Sequence, residues 1–395
     1  MRRTVFKVLA VITAMVLVLS LAACGSSSTG TSSSNSVSAA SSSSSTPAAS
    51  TTAKQSGFTI GFANGYIGNT WRSQFVDDFQ KAAQKYKDAG IIKDFQVVSC
   101  NADVTQQLNQ INTLISSGVD ALMIDPVSAT SLGPVIAKAK AQGILVIITN
   151  DPAAYDGTYA VIGNNDAFWR IQTTWMAEQL KGKGNIVEIT GLPGNTADTL
   201  RVNAAKDVLS KYPGIKVLAS APGKWSETEA QSVMSTFINT YKNFDGILEQ
   251  DVMAEGVLRA YETAGKKPPV MTGDYTFGFL NKWAQTPDLN TIGVPYAPGM
   301  SADVLGITIR LLQGKQLKDG VMQANPLNPS LKNAIMLDPP YVVTKDGDPN
   351  AVWMKGYSLT KAIKLDDAAK LGQGQPSTAA LDATLTDDQL NSFFK

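Results

Sequence analysis

Residues 58–90, FTIGFANGYIGNTWRSQFVDDFQKAAQKYKDAG, have the pattern of one strand followed by one helix. The apolar run Phe58–Ala63 predicts a buried strand. Apolar residues then recur at spacings of three and four, which predicts an amphipathic helix that Gly90 ends. These helical positions are Phe75, Phe79, Ala82, Ala83 and Tyr86. A strand followed by a helix that packs on it is the repeating unit of parallel α/β sheets.

The same alternation continues along the chain, with a second predicted helix from Val104 to Gly118. Nine strand-like runs are too many for one comfortable doubly wound sheet, so the pattern favours a barrel or two linked α/β domains. After Phe58–Ala63, the runs are Phe95–Ser99, Ala121–Ile124, Ile144–Ile148, Ile186–Ile189, Lys216–Ser220, Gly246–Leu248, Pro269–Thr272 and Thr291–Val294.

The first residues have the features of a secretory signal peptide. Basic Arg2, Arg3 and Lys7 precede an apolar run and small residues before Cys24. Leu21–Gly25 resembles the bacterial lipobox, which implies a signal peptide over 1–23 and lipidation of Cys24. A single-pass membrane anchor is the alternative, but the apolar run is shorter than the ~20 residues that a spanning helix needs. Residues 24–56 are mostly Ser, Thr, Ala and Gly, which predicts a disordered tether.

Composition excludes several classes of site. The chain has no histidine, so Ser-His-Asp and Cys-His catalysis and His-ligated zinc are excluded. The two cysteines, Cys24 and Cys100, provide neither a disulfide framework nor a cysteine metal cluster. Without the three cations of the leader, 31 of the 34 basic residues remain against 33 acidic residues. The near-neutral charge does not favour nucleic-acid binding, and neither a metal nor a cofactor is predicted.

Aromatic and polar residues follow one predicted strand after another. In open parallel sheets, ligands bind beyond the carboxyl ends of the strands. Sugars require directional donors and acceptors together with aromatic surfaces for their C–H faces. The strand ends therefore predict a sugar site. Its candidate residues are Asn69, Trp71, Arg72, Asp125, Asn150, Asp151, Arg201, Trp225, Gln250, Asp251 and Asp274.

Each candidate has a structural alternative. Asn69 is also suited to capping a helix, and Asp125 before Pro126 to a turn. The two tryptophans fit a core equally well, and arginines on helices are often solvated. Gly191–Thr196 could cradle a phosphate at a helix N-terminus. It lacks the glycine and lysine pattern of known phosphate loops, so an ordinary turn is the preferred interpretation.

Six segments in order resemble the ribose- and galactofuranose-binding receptors of sugar transport, which have the type I solute-binding protein fold. The likeness covers roughly Phe58 to Tyr341 and rests on TIGFANGYIGNTWRSQF, SSGVDALMIDPVSAT, GILVIITND, GNIVEITGLPGNTADTLR, EQDVMAEGVLRAYETAG and VMTGDY. It implies two doubly wound, Rossmann-like parallel-sheet domains joined by a three-strand hinge. It implies that the chain crosses from one domain to the other three times, near Gly163, Val294 and Leu327. The resulting division is 57–163 plus 295–327 for the N-terminal domain, 164–294 plus 328–345 for the C-terminal domain, and a 346–395 extension.

The resemblance carries nine of these eleven residues over as sugar contacts, all except Asn150 and Asp151. Two departures bear on the ligand. Asn150-Asp151-Pro152 stands where many relatives have Asp-Arg, and Pro295 stands where a hinge glutamine is common. The identity of the sugar, furanose or pyranose, is therefore left open.

The resemblance implies an extracytoplasmic, lipid-anchored, monomeric receptor that delivers a monosaccharide to an ABC permease, on the periplasmic or outer face of the cytoplasmic membrane. A receptor subunit for a membrane sensor or chemoreceptor is an open alternative. A hydrolase using Asp251 and Asp274 is disfavoured, because nothing fixes a nucleophile. A signal peptide in place of a helix-turn-helix headpiece excludes a repressor of related fold. In the extension, Thr386 is predicted to cap a short helix that packs back through Leu390 and Phe393 or Phe394.

Overall fold

The computed structural model describes residues 55–357 and 359–395. The predicted signal peptide, the tether and Cys24 lie outside the described residues. Strands and helices alternate through most of the chain. The first group comprises β1 (Phe58–Asn64), α1 (Thr70–Asp88), β2 (Ile92–Ser99), α2 (Val104–Ser116), β3 (Ala121–Ile124), α3 (Gly133–Ala141), β4 (Leu145–Thr149) and β5 (Tyr159–Gly163).

The second group begins directly after β5. It comprises α4 (Asn165–Gln179), β6 (Lys183–Thr190), α5 (Thr196–Ser210), β7 (Gly214–Pro222), α6 (Glu227–Thr240), β8 (Gly246–Glu249), α7 (Ala254–Thr263), β9 (Val270–Thr272), α8 (Phe277–Ala284) and β10 (Thr291–Ile292). The last elements are α9 (Met300–Leu312), β11 (Gln323–Asn325), β12 (Asn328–Leu337), β13 (Tyr341–Thr344), a 3₁₀ turn (Val352–Met354), β14 (Lys361–Lys364), α10 (Leu365–Leu371) and α11 (Asp387–Ser392).

Two open sheets organise these elements. A seven-stranded sheet has the order β11-β12-β5-β4-β3-β1-β2, and a five-stranded sheet has the order β10-β9-β8-β6-β7. Every neighbouring pair is parallel except β11 with β12. We name the part built on the larger sheet lobe 1 and the part built on the smaller sheet lobe 2. The predicted doubly wound α/β class is confirmed, and the barrel alternative is wrong.

Each of the nine predicted strand runs overlaps a strand, although Thr291–Val294 extends two residues beyond β10, and both predicted helices form. Their sequences explain why. Side chains alternate along β1, so that Phe62 packs with α1 on one face while Ala63 joins the core on the other face. The Phe62 and Phe79 ring centroids lie 4.8 Å apart. The first helix ends with Gly90 at a φ of +69°, the left-handed conformation that glycine adopts easily.

The chain passes between the lobes at three places. The first two crossings follow β5 and β10, near the predicted Gly163 and Val294. The third differs from the prediction, because β12 pairs with β5 in lobe 1 through the register Ala334↔Ala160 to Leu337↔Gly163. The passage therefore comes after Leu337, not near Leu327, and residues 328–337 belong to the sheet of lobe 1. The Asp338-Pro339-Pro340 sequence ends the strand there, since proline cannot continue the ladder.

The residues after the third crossing pack on both lobes. Strand β13 bridges to Gly293 beside β10, and α10 packs on α8. The predicted cap at Thr386 is present as a capping box, with Leu390 and Phe394 buried. Among the described residues, Cys100 is a buried free thiol and no cluster suited to a metal ion is found. Within the same residues, none of the helices has the length and apolarity to cross a membrane.

Candidate functional site

A solvent-open cavity lies between the lobes, at the carboxyl ends of both sheets. Residues of both lobes line it together with a residue of the second crossing. This is the location that parallel-sheet architecture predicts for a ligand. The lining residues are Asn69, Trp71, Arg72, Asn150, Asp151, Asn195, Ala197, Arg201, Trp225, Asp251, Val252 and Tyr296. Eight of the eleven predicted residues are among them.

On the lobe 1 side, the guanidinium of Arg72 is held by two carboxylates. It donates to Asp125, and its Nη2 donates to Asp151 Oδ2 at 3.1 Å. Burial lowers the pKa of Arg72, but the charges of Asp125 and Asp151 outweigh this effect and raise it. Asn69 caps α1, because its Oδ1 accepts from the Arg72 amide at 2.8 Å, and the residue also lines the cavity. The arginine is therefore charged and fixed in orientation.

The Asn150-Asp151 turn presents Asp151 to the cavity. Asn150 has a φ of +58°, which asparagine tolerates better than most residues. Its Nδ2 donates to Asp125 Oδ1 at 3.0 Å. Asp125 is thus bonded to Asn150 and Arg72, while the Asp151 side chain stays 17% exposed. Asp151 is thus an acceptor in lobe 1 that a ligand can reach.

On the lobe 2 side, Arg201 is the central cation. It is buried, and its Nη1 donates to Asp251 Oδ1 at 2.5 Å and its Nε to Asn165 Oδ1 at 2.8 Å. Its Cζ lies 4.5 Å from the ring centroid of Phe168 and 4.8 Å from that of Tyr296. A guanidinium stacked between rings and paired with a carboxylate is a rigid feature.

Trp225 reaches the cavity through an unusual backbone conformation. Its φ is +53°, and its Nε1 donates to Gln250 Oε1 at 3.2 Å. Gln250 in turn donates to Asp198 Oδ1 at 2.8 Å. A Cβ on Gly191 would lie 2.3 Å from the indole, so glycine is required there. The amide of Gly191 already donates to Asp198 at 2.6 Å, which argues against the phosphate-cradle interpretation of this turn.

Tyr296, which is not among the predicted residues, lies where the lobes meet. Its ring stacks on Trp71 at 5.9 Å and meets Phe168 edge-on at 5.6 Å. Its hydroxyl accepts from Asn165 Nδ2 at 3.2 Å. Its neighbour Pro295 had been noted only as a departure from the family pattern. Asn195, Ala197 and Val252 were missed as well, although Asn195 lies in the Gly191–Thr196 turn, Ala197 follows that turn and Val252 adjoins Asp251.

Three predicted residues lie behind the cavity wall. Asp125 supports Arg72, and Gln250 supports Trp225. Asp274 is buried and accepts from the Tyr275 amide at 2.7 Å. Burial, more than any nearby charge, raises the pKa of Asp274 to about 7. A position after a strand does not indicate how deeply a side chain is buried. These three residues support the site from behind and do not line the cavity.

The pair proposed for a hydrolase is not arranged for catalysis. Asp251 is bonded to Arg201 and accepts from the Tyr275 hydroxyl at 2.9 Å. Asp274 does not line the cavity. Two carboxylates flanking one scissile bond would both have to face the ligand. The geometry therefore fits binding better than hydrolysis.

A model of the periplasmic binding protein domain family matches residues 60–316. The xylitol-binding protein of Mycolicibacterium smegmatis is 34% identical over 224 residues, which are 55% of this chain and 61% of that protein. The galactofuranose-binding protein YtfQ of Escherichia coli is 27% identical over 57% of this chain and 73% of its own length. The chain thus spans less than two thirds of the length of the first of these relatives.

A solved solute-binding protein of an ABC transporter from Thermobispora bispora shares the fold. Its TM-score is 0.62 at 24% identity, covering 81% of this chain and 97% of that one. The prediction of a binding protein rather than an enzyme is confirmed by the family match. Because the family model spans more than half of the chain and the fold agrees, this protein belongs to the periplasmic binding protein domain family.

Proposed function

We propose that the chain is an extracytoplasmic receptor that binds a neutral, polyhydroxylated small molecule, such as a monosaccharide, and delivers it to an ABC importer. The observation that carries the proposal is the pairing of aromatic rings with orienting arginine–carboxylate pairs in one cavity shared by both lobes. Trp71 and Trp225 offer surfaces for C–H faces, while Asp151 and the two arginines offer directional polar groups.

The charges of the site favour a neutral ligand. Both cations among the lining residues, Arg72 and Arg201, are paired with carboxylates. An anionic ligand would have to compete with Asp151 or Asp251 for them. A polyol needs only hydrogen bonds from groups that are already oriented. The two relatives, named as a xylitol-binding and a galactofuranose-binding protein, are consistent with this class.

Ligand capture would depend on closure of the two lobes. A ligand that touches both sides only when the cleft is closed binds that state more tightly and shifts the equilibrium toward it. Lipidation at Cys24 would keep the receptor at the outer or periplasmic face of the membrane, near its permease, as a monomer. The three crossings would divide the chain into two discontinuous domains with the 346–395 segment added.

A thermal-shift screen against pentoses, hexoses and polyols tests the proposal, because a ligand that binds only the folded protein raises its melting temperature. The strongest hit is then titrated by calorimetry into wild-type, Arg72→Ala and Arg170→Ala proteins. Arg170 is a matched control, since it pairs with Asp166 and Asp207 and does not line the cavity. We expect at least a tenfold loss of affinity for Arg72→Ala only, as for loss of a hydrogen bond to a charged group.

A screen without any hit, or equal affinities in all three proteins, would contradict the assignment. Binding without loss of uptake when the gene is deleted would favour the sensing alternative over transport.

A further inference from the structure

The C-terminal extension makes an additional connection between the lobes. We name residues 376–385 the strap. On the lobe 2 side, the amide of Phe277 donates to Ala379 O at 2.9 Å. The amide of Leu381 donates to Tyr275 O at 2.6 Å. The strap is thus hydrogen-bonded to the segment that leads into α8.

The next residue of the strap is bonded to lobe 1. Asp382 accepts from the Gly299 amide at 3.0 Å, at the start of α9, and from Gln74 Nε2 at 3.3 Å in α1. Gln74 Oε1 also accepts from the Ala380 amide at 3.0 Å. Consecutive Cα atoms are about 3.8 Å apart. Because Leu381 is bonded to one lobe and Asp382 to the other, the two lobes can separate very little at this point without breaking one of these bonds.

Two of the strap residues that make this connection are buried in the protein. Ala380 and Leu381 are buried. A Cβ on Gly299 would lie 2.7 Å from an Asp382 carboxylate oxygen, so the backbone and the carboxyl group are in close contact. Burial, followed by the hydrogen bond and charge of the neighbouring Asp78, raises the pKa of Asp382 well above its usual range.

The residues that the strap bonds on each lobe are close to the ligand cavity. Gln74 lies on α1 close to Trp71 and Arg72, which line the cavity. Tyr275 donates from its hydroxyl to Asp251 Oδ2 at 2.9 Å, and Asp251 lines the opposite wall. The strap lies outside residues 60–316, which the family model matches.

We propose that Gln74 and Asp382 are positioning residues that set the width of the cleft by tying the strap to α1 across the lobe boundary. Opening the cleft breaks these bonds, so the strap favours the arrangement in which Trp71 and Asp251 face one another. The inference goes beyond ligand capture and does not depend on the identity of the ligand.

Interlobe distances measured by pulsed electron paramagnetic resonance test the proposal without ligand. Spin labels are placed by Ile67→Cys after β1 and Leu192→Cys after β6, two exposed positions on opposite lobes. The full-length chain carries Cys24→Ser to avoid a further label. Gln74→Met keeps the side-chain volume and removes both bonds to the strap. We expect the ratio of short to long distances to fall about tenfold, the effect of losing two hydrogen bonds of ordinary strength.

A second variant and a matched control keep the test decisive. Asp382→Ala should lengthen the distances as Gln74→Met does. Asp382→Asn should lengthen them less, because its amide oxygen still accepts from Gly299 although its Nδ2 cannot accept from Gln74. Asp387→Ala is the control, since Asp387 lies on the same extension but pairs with Arg310 within lobe 1. Wild-type distances in Gln74→Met and Asp382→Ala, or equal lengthening in Asp387→Ala, would overturn the proposal. The result does not depend on whether a sugar binds.

Discussion

Replacing Arg201 with methionine removes a buried charge while keeping a long apolar stem. In the native protein, this guanidinium bonds Asp251 and Asn165 and stacks against Phe168 and Tyr296. Arg201 is 3% exposed and Asp251 is 7% exposed, so water cannot readily replace the lost donors. The Tyr275 hydroxyl would be the remaining side-chain donor to Asp251 that the structure shows. The variant therefore leaves a mostly buried carboxylate without its cationic partner.

The expected loss of folding free energy follows from that burial. Removing one partner of a buried ion pair costs about 3–5 kcal/mol, because the other charge remains desolvated. Lost cation–π contacts add about 0.5–2 kcal/mol each, partly offset by the packing of methionine. We therefore expect the free energy of unfolding to fall by roughly 4 kcal/mol.

Urea unfolding followed by circular dichroism measures the effect. Two further variants separate charge from packing. Adding Asp251→Asn to Arg201→Met should recover part of the loss, since a neutral amide is cheaper to bury than an unpaired carboxylate. Arg170→Met should cost less than about 1 kcal/mol, because its carboxylate partners are exposed. A loss in Arg201→Met no larger than in Arg170→Met would refute the reasoning.

Two other outcomes can be checked by the same unfolding measurement. Burial raises the pKa of Asp303 to about 7, so its folded state keeps a proton that the unfolded carboxyl group releases from about pH 4. This contribution is complete below that pH and is lost as pH rises through 7, by at most about 1.4 kcal/mol per pH unit, and Asp303→Asn should lack that slope. Parallel pH profiles for the two proteins would contradict this. A Cβ on Gly163 would lie 2.5 Å from the Tyr296 ring, so Gly163→Ala should cost about 1–3 kcal/mol, whereas Gly133→Ala, with 3.8 Å of clearance, should not destabilise. Equal stability of these two alanine variants would be the contrary result.

The parallel sheets were predictable because their central strands are buried on both faces. The predicted strand Ala121–Ile124 coincides with β3, all four residues of which are buried, so its run of apolar residues was a direct signal. The third crossing was harder. Residues 334–337 of β12 pair with β5, about 170 positions earlier in the chain, and a pairing over that sequence distance leaves little local pattern. The prolines after Asp338 were the available sign of the strand end.

The sequence predicted which residue types surround the candidate site, but not which of them line the cavity and which are buried behind it. Strand ends brought Arg72, Asp151 and Arg201 to the cavity, as the architecture requires. Asp274 also follows a strand, yet it is buried behind the cavity wall. Tyr296 was missed because it follows β10, a strand of two residues, and lies in the second crossing, which reaches the site through the tertiary fold.

The second crossing shows how the site is organised before a ligand arrives. The backbone carbonyl of Tyr296 accepts from Trp71 Nε1 of lobe 1 at 2.6 Å and from the Tyr275 hydroxyl of lobe 2 at 3.2 Å. A carbonyl oxygen has two lone pairs, so these donors from opposite lobes use its full capacity. The same residue places its ring between Trp71 and Arg201. A ligand then meets walls that are already oriented, and less of its binding free energy is spent on ordering side chains. This is the physical reason to expect that perturbing Tyr296 or the strap changes affinity as strongly as removing a direct contact.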